Sequence, residues 1–230
     1  MKKLIILFVA TMVVTGLFAK KPLSVFLIGD ETMAELTQSE DITPSAPVGW
    51  GQKLPQYLPA DAVVENHAVD GATTKSVLDE GQWSNLLSRA GRGAVVFIQF
   101  GHHEYDEEDS RHYSSLENFE NNLLQMIKEA QKKGLKVALL TPTAKKFFKD
   151  DVLYPRHGAY AEGVRRVAAH AHLPLLDVEE LTASLLEIKG AGNANDYFAA
   201  GDSVRLSEQG AMTVANMVVQ AAKEQHVKGF

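Results

Sequence analysis

The sequence predicts an α/β fold in which a parallel sheet is covered by helices on both faces. Two observations carry that expectation. Five short apolar, β-branched-rich runs recur along the 230 residues, at 23–28, 63–67, 94–100, 136–140 and 173–176. Amphipathic segments lie between them at 114–133 and 159–171 and after the last at 207–223, each with apolar residues spaced three and four apart. Antiparallel strands need only short turns, whereas parallel strands need a crossover, and the intervening helical segments supply it. Ser207 is placed to cap the last helix, and Asp177 to cap one that starts at Val178.

The first residues set the boundaries of this domain. Met1-Lys2-Lys3, an apolar run over 4–14 and then Thr15-Gly16-Leu17-Phe18-Ala19 follow the order of a secretory signal peptide. Cleavage after Ala19 leaves one domain over 20–230, secreted or periplasmic, with no stable membrane insertion, because the apolar stretch is short for a bilayer span. No repeat, linker or low-complexity tract divides the remainder.

Composition excludes several function classes. A formal net charge of −6 argues against nucleic-acid binding, which draws its affinity from clustered Lys and Arg. The absence of cysteine rules out disulfides, lipid-modified cysteine and thiolate zinc sites. No cofactor is expected. The acidic run 104–109 reads as a solvated loop.

In open parallel sheets, ligands bind beyond the carboxyl ends of the strands, so the residues after each run are the candidates. They are Gly29-Asp30-Glu31-Thr32-Met33, Asn66-His67-Ala68-Val69-Asp70-Gly71, Gly101-His102-His103-Glu104 and, near the C-terminus, Gly201-Asp202-Ser203-Val204-Arg205-Leu206-Ser207. Together with Gly49-Trp50-Gly51-Gln52, Ile98-Gln99-Phe100-Gly101-His102, Leu140-Thr141-Pro142, His157-Gly158-Ala159-Tyr160 and Leu206-Ser207-Glu208-Gln209-Gly210-Ala211, these blocks resemble, in order, the rhamnogalacturonan acetylesterase branch of the SGNH/GDSL hydrolases. The resemblance spans nearly all of residues 20–230. It implies a flavodoxin-like, three-layer α/β/α sandwich with a five-stranded parallel sheet, and an esterase that removes acetyl groups from pectic polysaccharide or oligosaccharide.

That chemistry needs a serine nucleophile, a histidine base, an aspartate to orient the base, and donors for the oxyanion. Aligned on the family's motifs, the serine falls on Glu31, the oxyanion glycine on Gly71, the oxyanion asparagine on His103, and the aspartate and histidine on Asp202 and Arg205. Gly71 and Asp202 match the family, and the other three do not. A guanidinium offers donors only and cannot act as a base. The resemblance therefore implies a pseudoenzyme in which Glu31 and Arg205 face each other as a salt bridge, with Asp202 also touching Arg205. Two alternatives stay open: His103 acting as base toward water with Glu31 orienting it, and a metal held by Asp30, Glu31, His103 and Asp202. Trp50 is either core or a sugar-stacking platform, and Lys145-Lys146 either a solvated pair or a contact for acidic sugars.

Overall fold

A computed structural model describes residues 21–36, 46–154 and 157–230; the signal segment expected at 1–19 lies outside these. Five parallel strands form the central sheet: β1 (Ser24–Gly29), β2 (Val63–Asn66), β3 (Val95–Gln99), β4 (Lys136–Leu140) and β7 (Leu175–Leu176), in the order β2-β1-β3-β4-β7. All four pairings are parallel. Every predicted strand is present: β4 has the expected bounds, β1 is shifted by one residue, and the other three lose one or two. β7 keeps only two of its four because Leu173 and Pro174 precede the ladder, although the Pro174 carbonyl still accepts the Leu139 N–H.

The sheet has two dry faces, as its continuous apolar runs require. Alternate residues of β1 point to opposite sides. Val25 and Leu27 pack with Trp50, Val214 and Val218, while Phe26 and Ile28 pack with Trp83, Phe119 and Leu123. The first face is covered by α6 (Val178–Asn193) and α7 (Glu208–Glu224) with the short α1 (Trp50–Lys53). The second is covered by α2 (Thr74–Asp79), α3 (Gln82–Arg89), α4 (Leu116–Lys133) and α5 (Ala159–His170). A small hairpin of β5 (Phe148–Lys149) and β6 (Val152–Leu153) lies off the sheet. The predicted caps form: Ser207 accepts the Gly210 N–H at 3.1 Å and Asp177 the Glu180 N–H at 3.3 Å. Trp50 is fully buried and donates Nε1–H to Gln99 at 2.8 Å, which makes it core rather than a stacking platform.

Gly210 marks one of the two tightest backbone approaches at a glycine among the described residues. It sits in the first turn of α7 against the Tyr197 backbone, and a Cβ there would lie 1.9 Å from the Tyr197 carbonyl oxygen. Backbone cannot move aside as a flexible side chain can. Gly210→Ala is expected to lower the unfolding free energy by about 1–3 kcal/mol, the usual cost of overpacking, or more. Gly91→Ala, where a Cβ meets nothing within 4 Å, should stay within about 0.5 kcal/mol. Urea denaturation of both variants checks the contrast.

Candidate functional site

The site lies at the carboxyl end of the sheet, where β1, β3 and β4 stop in register and leave their following turns side by side. After β1 the chain folds into a tight turn in which the Asp30 carbonyl accepts the Met33 and Ala34 N–H groups. The Asp30 side chain finishes that turn by accepting both the Thr32 N–H at 3.0 Å and its hydroxyl at 2.8 Å. Its other oxygen meets His102 Nδ1 at 2.7 Å, and His102 Nε2 reaches the Thr143 carbonyl at 2.9 Å. Both ring nitrogens face acceptors, so both carry protons and the ring is an imidazolium. Burial opposes that charge, but the Asp30 carboxylate outweighs it and raises the His102 pKa. Asp30 is itself lowered to about 2, because His102 more than offsets the cost of full burial.

Glu31 follows in the same turn and is 2% exposed. His103 Nε2 lies 2.8 Å from both of its carboxylate oxygens, and the Gly71 N–H donates to Oε2 at 3.2 Å. Gly71 has φ = 72°, a left-handed conformation that glycine adopts without steric cost, and this aims its N–H into the site. Burial and the neighbouring Asp30 charge push the Glu31 pKa up. The bond to His103 and the two histidine charges prevail, and the net direction is downward. His103, with 35% of its side chain exposed, is shifted upward: burial lowers it and Glu31 raises it by more.

Arg205 is not where the resemblance led us to expect it. Its guanidinium engages Asp70 through two contacts of 2.7 and 3.0 Å and reaches Asp202 at 3.4 Å, with no hydrogen bond or ion pair to Glu31 among the described residues. The expected Glu31–Arg205 bridge is therefore replaced by Glu31–His103. The reason is desolvation: Glu31 is buried beside a closer imidazole, whereas Asp70 is half exposed and accepts Arg205 Nη2 on both of its oxygens while it remains in water. Asp202 does touch Arg205, as expected. Its main role is local, since Oδ1 accepts the Val204 and Arg205 N–H groups at 2.7 and 2.9 Å.

The metal set left open as an alternative is not the group that converges. Asp30, Glu31 and His102 have ligand atoms within 4.8 Å of one another, but His103 and Asp202 are not in that group. Both nitrogens of His102 are already engaged, so a cation would have to break the Asp30 or Thr143 contact to be bound there.

The acidic run 104–109 divides. Residues 105–108 are exposed, but Glu104 is fully buried, and its two oxygens accept the Thr74 N–H at 3.1 Å and the His103 N–H at 3.3 Å. Burial pushes its carboxyl up to about 7 against those two donors. The sequence marked Glu104 only as the last residue of the block Gly101-His102-His103-Glu104 that follows β3. A second group absent from the sequence reading is the chain Arg165, Glu179 and His157. Arg165 Nη2 is 2.9 Å from Glu179 Oε2, and Glu179 Oε1 accepts from His157 Nδ1 at 3.0 Å.

Two measurements check this geometry. In an NMR titration His103 should protonate above its ordinary 6.5, and Glu31→Gln should lower that midpoint. A raised histidine stabilises fully below 6.5 and loses the effect as pH climbs through its folded value. A lowered glutamate stabilises fully above 4.5 and loses the effect as pH falls through its folded value. The stability gap between the native protein and Glu31→Gln should therefore be widest between about 4.5 and 6.5 and narrow on either side. In the second measurement, Asp30→Asn leaves a buried imidazolium without its counter-charge and should cost about 3–5 kcal/mol. Arg205→Ala removes exposed pairs and should cost less than about 1 kcal/mol by denaturant unfolding.

Comparison with known proteins agrees with this architecture. Residues 27–212 match the GDSL-like Lipase/Acylhydrolase family. The chain is 28% identical over 219 residues to rhamnogalacturonan acetylesterase RhgT of Bacillus subtilis, covering 89% of this chain and 91% of that protein. It is 25% identical over 205 residues to the probable rhamnogalacturonan acetylesterase YesY of the same organism, covering 87% and 92%. Among solved structures, protein YxiM of Bacillus subtilis superposes with a TM-score of 0.79 at 23% identity, over 91% of this chain and 58% of that longer one. An acetylxylan esterase from Geobacillus stearothermophilus superposes at 0.64 with 16% identity, over 86% and 93%. With its strand order, its ordered motifs and a match over most of its length, the chain belongs to the GDSL-like lipase/acylhydrolase family.

Proposed function

We propose that this is an exported saccharide-binding protein on the acetylesterase scaffold, without efficient serine-esterase turnover. One observation carries the reading: the Gly71 N–H, the donor that the resemblance assigns to the oxyanion, is already bonded to the Glu31 carboxylate, which His103 holds in place. A negative oxygen sits where negative charge would have to develop, and two like charges a few ångströms apart repel strongly away from bulk water.

The remaining chemistry points the same way. Attack by Glu31 on an ester would give an anhydride, whose hydrolysis needs an activated water. Arg205 cannot remove a proton from that water, and Asp202 faces a guanidinium instead of a base to orient. The ligand class comes from the similar proteins, which are named for rhamnogalacturonan, and so points to acetylated pectic polysaccharide. Export rests on the character of residues 1–19.

A second reading is favoured by the pairing of Glu31 with His103. A buried carboxylate holding a half-exposed imidazole is the orienting half of a base, and His103 Nδ1 makes no hydrogen bond among the described residues. In that reading His103 draws a proton from water, which attacks the ester directly without a covalent intermediate.

Acetyl release from acetylated rhamnogalacturonan separates the two. The native protein should give no turnover, and the combined Glu31→Ser, His103→Asn and Arg205→His variant should gain it. Native turnover would overturn the binding-protein reading. If that turnover rose with pH through the His103 midpoint and vanished in His103→Asn alone, water attack would replace it, whereas chelator sensitivity would instead point to a bound cation.

A further inference from the structure

The segment between Glu104 and Ser114 has two fixed ends. Glu104 and Ser114 are both buried, and the Ser114 N–H donates to the Glu104 carbonyl at 3.0 Å. The Tyr160 hydroxyl bridges them, 2.7 Å from the Ser114 carbonyl oxygen and 3.2 Å from that of Glu104. The Glu104 carboxyl accepts the Thr74 and His103 N–H groups, which ties the first end to α2 and to the turn after β3.

Between those ends, none of residues 105–113 is buried, and none belongs to either hydrophobic core. Displacing them therefore removes little apolar surface from its packing. They satisfy one another instead. Asp106 accepts the Glu108 N–H through Oδ1 and the Asp109 N–H through its carbonyl. The Asp109 carbonyl accepts the His112 and Tyr113 N–H groups, and its carboxylate meets the Arg111 N–H and His112 Nδ1. A compact surface loop whose ends meet and whose bonds are internal keeps its own shape.

The contacts that hold this loop down lie at the surface. Lys75 Nζ donates to the Ser110 carbonyl at 2.7 Å, Arg111 Nε to Glu80 at 2.7 Å, and Lys145 Nζ lies 5.1 Å from the centre of the Tyr105 ring. The Arg111 side chain is 68% exposed, so water and salt compete for it, and such a pair biases an equilibrium by about fivefold at most. The ends are far harder to part, because Glu104 and Ser114 would leave buried polar groups unpaired.

The same loop borders the site. Its Tyr105, Asp106, Asp109 and His112 line a recess of about 250 Å³ together with Gly71 and His103. We propose that residues 105–113 are a flap that swings as one body about Glu104 and Ser114 and sets the width of the opening at His103. This goes beyond the saccharide-binding reading and holds whether the site binds its ligand or turns it over.

The chain has no cysteine, so cysteines placed at Ser110 on the flap and at the exposed Lys128 of α4 can be spin-labelled alone. Double electron–electron resonance should give two separations. The wider one should gain about threefold or more when Lys75→Met and Glu80→Gln release the flap, and should also gain in the unreleased protein at about 1 M salt. A Ser88→Cys, Lys128→Cys pair, on α3 and α4, should keep one separation throughout. The Asp109 and Tyr113 amides should keep their protection from hydrogen exchange in the released protein, since their bonds travel with the flap. Diethyl pyrocarbonate should modify His103 about threefold faster or more in the released protein, with the exposed His170 unchanged. A single separation, or a ratio that neither release nor salt alters, overturns the flap. Loss of protection at Asp109 and Tyr113 overturns it as well, because the segment then melts instead of swinging. A moving segment with an unchanged His103 rate overturns its control of the opening.

Discussion

The arrangement of the site depends on one buried bridge, Asp30 to His102 to the Thr143 carbonyl. Parallel strands end at a common edge, and there the backbone turns away with polar groups that no ladder satisfies. This bridge crosses that edge, from the turn after β1, through the turn after β3, to the segment after β4. Each member is fully satisfied: Asp30 accepts from Thr32 and His102, and His102 gives up both protons. A buried charge pair is tolerable only when its remaining hydrogen-bonding capacity is met in this way.

The bridge then dictates what its neighbours can do. With Asp30 ionised and buried, the adjacent Glu31 can ionise only beside another positive group, and His103, next to His102 in sequence, supplies it. Two adjacent carboxylates and two adjacent histidines thus neutralise one another in pairs. A third buried carboxyl, Glu104, forms no ion pair among the described residues, and two backbone donors do not compensate for its burial. Arg205 could have been that cation only by shedding its hydration, and the half-exposed Asp70 holds it at much lower desolvation cost.

The sheet was legible because period-2 and period-3.6 patterns are local, and each central strand declares itself by burial on both sides. The hairpin of β5 and β6 and the short α1, α2 and α3 were not, since two to eight residues offer too little periodicity. At the site, Glu31, Gly71 and His103 do converge, but the partner chosen for Glu31 was wrong. The family's motifs give positions along the chain, whereas the choice between His103 and Arg205 turns on which cation can be reached without desolvation, a three-dimensional quantity. Asp70 was on the page beside Gly71 and competes for Arg205, yet nothing in its sequence context marks it. His157 and Glu179 are 22 residues apart and meet only because β7 returns the chain to the sheet edge after α5.

Asp202 holds backbone more closely than it holds any side chain. In the resemblance it orients a base, and here it faces a guanidinium that needs no orienting. Its Oδ1 instead accepts two consecutive backbone N–H groups, a local turn that sets the course of the chain into Leu206 and the capped start of α7. Val48 N–H bonds to the Leu206 carbonyl, so this turn also anchors the segment that enters α1. Asp30 is similar, holding three strand ends together through His102 and the Thr143 carbonyl. Asp30 and Asp202 thus each hold a turn through backbone N–H groups, whereas Glu31 meets His103 and Gly71 with its carboxylate and Arg205 reaches Asp70 with its guanidinium. The three strand ends therefore stay joined through Asp30, His102 and the Thr143 carbonyl whichever cation answers Glu31.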